Sequence, residues 1–126
     1  MALTVKEEAG FKFIDEGKGE VVLLLHGLFG ALSNWEGVVN RFSQNYRVVI
    51  PMLPIYDMPI REAGLEGLRK FVEEFVAMKK LDNMMIMGNS LGGHIALVYT
   101  LKNPDKVKKL VLTGSSGLFE DGMGGS

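Results

Sequence analysis

The sequence predicts an α/β fold: a mainly parallel sheet with helices on both faces, a three-layer αβα sandwich led by an N-terminal β-hairpin. Three observations carry this. Short apolar segments at 21–25, 47–50, 84–87 and 110–113 read as buried strands, 21–25 as a continuous aliphatic run that marks burial on both faces. Segments with helical periodicity separate them, as crossover connections between parallel strands require. Glycine-rich loops follow the first and third runs, where the carboxyl ends of such strands carry ligand sites.

Each element has its own warrant. Residues 3–8 and 11–15 read as two short strands around Ala9-Gly10, a hairpin over 3–15. Gly17 and Gly19 form the turn into the run 21–25. Over 32–44, Trp35, Val38, Val39 and Phe42 recur at i, i+3, i+4 and i+7, one face of a helix that Ser33 can cap with Glu36. The run 47–50 stops at Pro51 and Pro54. A second helix over 61–80 presents Leu65, Leu68, Val72, Phe75 and Val76 to the core. Its other face, with Glu66, Arg69, Lys70, Glu73 and Glu74, reads as solvated. A third helix runs from Leu91 to Lys102 and ends at Asn103-Pro104. The βαβαβαβ core thus covers 21–113, and the glycine-rich tail 114–126 is expected to be loose.

Composition narrows the function. At 126 residues the chain suits one domain, residues 1–126, large enough for its own core. A net charge of −1 argues against nucleic acid or a membrane as partner, since both need a positive footprint. With no cysteine and two histidines, a metal site is not expected and no cofactor is implied. Charges at Lys6, Glu7 and Glu8 interrupt any apolar leader, and no run could span a bilayer, so a cytoplasmic location is expected. Eight methionines, with four between Met78 and Met87, predict a plastic core.

The chemistry-bearing motif is Gly88-Asn89-Ser90-Leu91-Gly92, a G-x-S-x-G sequence directly after a buried strand and directly before a helix. That context suits a nucleophile elbow. The tight turn strains Ser90 and lifts its hydroxyl above the sheet, Gly88 and Gly92 permit close backbone approach, and the helix start offers free N–H groups. The alternative is a serine N-cap, with the glycines serving helix–sheet packing. A second glycine-rich loop is His26-Gly27-Leu28-Phe29-Gly30; alone it also suits a plain strand-to-helix turn.

With both loops in this order, the chain resembles the α/β-hydrolase superfamily. Met87-Gly-Asn-Ser-Leu-Gly-Gly93, then Ala96, Asn103-Pro104 and Leu110-Val111-Leu112, is most similar to meta-cleavage-product (carbon–carbon bond) hydrolases and small esterases. The resemblance implies that Ser90 is the nucleophile. It implies that the backbone N–H groups of Leu28 and Leu91 hold the acyl oxyanion. It gives His26 a bracing role, with Gly27, Gly30, Gly88 and Gly92 shaping the site, and it implies a small ester or acyl substrate.

In that family an acid and then a histidine follow the serine. Here the only histidine after Ser90 is His94, on the same helix, a poor candidate for the base. The resemblance therefore implies a truncated α/β-hydrolase fold: the N-terminal half of such an enzyme, excised, engineered or incomplete, with little or no turnover. Two alternatives stand beside it. One is an active small esterase or carbon–carbon hydrolase using His94 or a histidine from another chain. The other is a non-catalytic flavodoxin-like binding module, which the absence of any nucleotide-binding fingerprint disfavours. The apolar edge at 110–112 and the aliphatic sheet predict a homodimer or larger assembly, through that edge or through the face near the Trp35 helix.

Overall fold

A computed structural model describes residues 4–26, 36–54 and 60–113. The predicted positions Gly27, Leu28, Phe29, Gly30, Ser33 and Trp35, and the tail 114–126, lie outside the described residues. Six strands form one sheet: β1 (Lys6–Glu8), β2 (Phe11–Glu16), β3 (Val21–Leu25), β4 (Arg47–Pro51), β5 (Met84–Asn89) and β6 (Val107–Thr113), in the order β1-β2-β4-β3-β5-β6. The hairpin β1–β2 joins β4 antiparallel; β4, β3, β5 and β6 run parallel.

The helices are α1 (Glu36–Phe42), α2 (Ile60–Lys79) and α3 (Leu91–Lys102), with a 3-10 turn at Pro104–Lys106. Alternating residues of β3 and β4 feed two cores. Leu23, Leu25 and Val49 pack with Leu68, Val72 and Phe75 of α2 and Ile95, Ala96 and Tyr99 of α3. Val22, Leu24, Val48 and Ile50 pack under Val39 of α1, with Val38 and Phe42 partly buried beside them. Helices on both faces make three layers, as predicted. Each fully buried aliphatic or aromatic side chain contributes about 1.5–3 kcal/mol.

Several expectations need correction. Strand β6 begins at Val107 rather than Leu110 and is not buried on both faces: Leu110 and Val111 are half-buried and Leu112 is 52% exposed. Strand β5 is buried on its α2/α3 side alone. Met85 and Met87, on the α1 side, are half-buried against the smaller core. Strand β4 includes Pro51 as its last residue, opposite Phe13, and the next bond to β2 comes from the following residue: Met52 N–H donates to Lys12 O at 2.8 Å. The hairpin ladder starts at Lys6 and extends to Glu16. Helix α2 is broken at Gly64 (φ 57°, ψ −160°), a conformation open to glycine.

Arg69 is buried, not solvated. Its guanidinium donates to Glu66 Oε1 at 2.9 Å and Glu73 Oε2 at 2.6 Å, and Asn103 Nδ2 donates to the same Glu73 oxygen at 2.9 Å. The Asn103 hydrogen bond, with Arg69, holds the Glu73 carboxyl below its ordinary range against the opposing effect of burial. This network ties α2 to the end of α3. A second one ties the hairpin to the sheet and to α2: Arg47 grips Asp15 through two bonds of 2.9 and 2.7 Å, and Lys79 Nζ lies 3.3 Å from Asp15 Oδ2 and 4.5 Å from the centre of the Phe13 ring.

Candidate functional site around Ser90

Strand β5 ends at Asn89 and α3 begins at Leu91, so Ser90 alone makes the turn between them. Its backbone is at φ 59° and ψ −123°, a region L-residues avoid, at a cost of about 1–3 kcal/mol. The residue occupies the N-cap position, but its side chain makes no capping hydrogen bond. The N-cap alternative therefore does not explain why serine stands here. Its carbonyl accepts from Gly93 N–H at 2.9 Å and His94 N–H at 3.4 Å. Leu91 and Gly92, at the first turn, have no acceptor within α3 for their N–H groups.

The two glycines of the motif are explained by contact. A Cβ on Gly88 would lie 2.5 Å from Gly92 O and 2.7 Å from the Gly93 Cα. A Cβ on Gly92 would lie 2.0 Å from Leu25 O and 2.7 Å from His26 O. Backbone fills both spaces, so β5, α3 and the carboxyl end of β3 meet closer than side chains allow. This brings His26 against the first turn of α3. Gly27, Gly30 and Leu28 themselves lie outside the described residues.

His26 Nε2 accepts a hydrogen bond from Leu53 N–H at 3.2 Å. That bond joins the end of β3 to the segment after β4. Sequence reasoning missed Leu53, and no signal could have found it, because the donor is backbone. Leu91 is 7% exposed, its side chain within the larger core. His94 Nε2 is buried and makes no hydrogen bond, to the Ser90 hydroxyl or to anything else. Among the described residues no group of three or more His, Cys, Asp or Glu could hold a metal ion. No described helix is long and apolar enough to cross a membrane.

Residues 20–124 match the family described as alpha/beta hydrolase fold. The chain belongs to that family. This alpha/beta hydrolase chain is 32% identical to a 2-hydroxy-6-oxo-2,4-heptadienoate hydrolase of Pseudomonas putida, over 86% of its own length and 43% of the relative. It is 33% identical to a 2-hydroxy-6-oxononadienedioate/2-hydroxy-6-oxononatrienedioate hydrolase of Escherichia coli, over 90% of its length and 45% of the relative. Among solved structures it matches MGS-MChE2, an alpha/beta hydrolase from the metagenome of lagoon sediments at Mar Chica, Morocco, at 43% identity and a TM-score of 0.84. That match covers 93% of this chain and 54% of the other. The alpha/beta hydrolase chain thus spans under half the length of the two curated relatives.

Proposed function

We propose that the chain carries the nucleophile and oxyanion elements of a serine hydrolase acting on small ester or acyl substrates, with hydrolysis at most slightly above background. The observation that carries this reading is the strained Ser90 backbone at the β5–α3 turn, its hydroxyl spared from capping. Strain of this kind marks functional positions. Ser90 is the attacking residue. The N–H of Leu91, with that of Leu28, stabilises the oxyanion, because first-turn N–H groups without helical acceptors can meet developing charge without reorganising. Gly88 and Gly92 hold the turn, and His26 braces the loop through Leu53.

The low turnover proposed rests on the surroundings of Ser90: among the described residues, none offers its hydroxyl a base. A serine hydroxyl at its ordinary pKa is a weak nucleophile. His94, one helical turn away, keeps its Nε2 buried and unbonded. The likeness to these two hydrolases supports ester or carbon–carbon bond hydrolysis as the chemistry to which the Ser90 elements belong.

The test is labelling by a fluorophosphonate probe, with p-nitrophenyl acetate hydrolysis measured alongside. Slow labelling that disappears in Ser90→Ala, with turnover near background, is expected. Labelling that survives Ser90→Ala overturns the role of Ser90. Robust turnover with a bell-shaped pH profile, abolished by His94→Ala, overturns the low-activity reading in favour of a working esterase.

A further inference from the structure

The end of the sheet remote from Ser90 holds a cavity of about 500 Å³, within the roughly 300–1,000 Å³ range of small-molecule sites. It opens between the last turns of α2 and α3, beside the Asp82 turn that leads into β5 and the Pro104–Lys106 turn that leads into β6. Ser90 follows the opposite, carboxyl end of β5, so the cavity is separate from the candidate site. Val76, Ala77 and Leu81 give it an apolar wall. Tyr99 also lines it, although only 1% exposed. Among the described residues nothing hydrogen-bonds the Tyr99 hydroxyl. Nor is that oxygen sealed in: the described side-chain atom that is both enclosed and unbonded is His94 Nε2. A buried phenol normally has a partner, and the cavity is where one can stand.

We propose that this cavity binds a small organic ammonium compound: its charged nitrogen donates to the Tyr99 hydroxyl oxygen and to the Glu73 carboxylate, and its apolar body lies on Val76, Ala77 and Leu81.

The polar groups set this class. Both bonds that Glu73 accepts, from Arg69 and Asn103, go to Oε2, so among the described residues Oε1 keeps its capacity as an acceptor. Arg69 serves two carboxylates, Glu66 and Glu73, which leaves that network with a net negative charge. The Tyr99 hydroxyl reports the same field. Burial first, then the charges of Glu73 and Asp82, push its pKa up to about 12, so it stays a neutral phenol with an oxygen lone pair to offer. An anionic ligand would meet the opposition that the phenolate meets. A neutral alcohol could bond the same oxygens, but without the added strength of an ionised donor. Lys80 and Lys106 stand exposed at the mouth, and Lys106 Nζ lies 4.0 Å from Asp82 Oδ1. Water and salt screen these two exposed charges more than they screen the half-buried Glu73.

The test needs neither catalysis nor the role assigned to Ser90. Hexylamine, an ammonium at pH 7, titrated into the full chain should shift the amide signals of Val76, Leu81 and Tyr99 saturably, with a Kd of about 1 mM or tighter. Hexanol and hexanoate, of the same chain length, should bind at least ~10-fold more weakly. Tyr99→Phe removes an oxygen that no described group bonds, so the fold should persist while the hexylamine Kd rises at least ~10-fold. Ala77→Phe, at an exposed position on the wall, fills the cavity. It should abolish the shifts at Leu81 and Tyr99 while circular dichroism stays that of the parent. The proposal is overturned if hexylamine produces no saturable shift at these residues, or if hexanol or hexanoate binds as tightly. So it is if either variant binds hexylamine as the parent does.

Discussion

The carbonyl oxygen of Leu25 occupies the space that a side chain on Gly92 would need: a Cβ there would lie 2.0 Å away. This contact presses the start of α3 onto the end of β3, next to His26. Neither neighbour can yield, because both atoms belong to buried backbone. Gly92→Ala is therefore expected to destabilise the fold by about 3 kcal/mol or more, read from urea unfolding. Gly93 is the control. Its Cβ would meet nothing closer than 3.5 Å, so Gly93→Ala should be neutral or stabilising by up to ~1 kcal/mol. Equal losses at both positions would remove the close-approach argument.

Ser90 makes the converse prediction. At φ 59° glycine is at ease and alanine is as strained as serine. Ser90→Gly should be more stable than Ser90→Ala by about 1 kcal/mol, while neither reacts with a fluorophosphonate. If Ser90→Ala were the more stable, the strain assigned to this turn would be absent.

Much of this was legible in sequence, for physical reasons that differ by element. Helix α3 was read to the residue because Ser90 and Asn103-Pro104 bound it chemically. Strands β3 and β4 declared themselves by unbroken aliphatic runs, since both their faces are covered. The same signal misled on burial at β6, where Leu110-Val111-Leu112 is just as aliphatic yet Leu110 and Val111 are only half-buried and Leu112 is exposed. Composition reports what a strand can be buried against, not what is there. Arg69 was misread because its i, i+3 and i, i+4 partners Glu66 and Glu73 also suit a solvated face. The Ser90 turn was legible because its flanking glycines are required by backbone contact. The Leu53–His26 bond was not, because backbone donors leave no mark in a sequence.

The Asp15–Arg47–Lys79 cluster should make stability fall in acid. Burial by itself would raise the Asp15 carboxyl, but the hydrogen bonds and charge of Arg47, with those of Lys79, outweigh it and hold the group below its ordinary value of 3.8. A carboxyl depressed in the folded state contributes stability above its unfolded pKa and loses it as pH falls through the folded one. Asp15→Asn is expected to cost about 2 kcal/mol at pH 7. The gap to the parent should hold down to pH 5, narrow below about pH 4, and close in stronger acid. A gap independent of pH would mean that Asp15 acts by packing rather than by charge.

His26 predicts a local effect rather than a global one. Its Nε2 is the acceptor for Leu53 N–H, and Leu53 is only 6% exposed, so water is a poor replacement partner. Removing the acceptor leaves a largely buried N–H unmatched, at about 1–3 kcal/mol. In His26→Phe, where ring volume is retained and the acceptor lost, the Leu53 amide should exchange with solvent at least tenfold faster. Amides in the middle of β3, such as Leu23, should change only as far as global stability falls. The difference between the two rates isolates the bond from general loosening. If Leu53 and Leu23 accelerate together, His26 supports the fold as a whole and does not specifically join the end of β3 to the segment after β4.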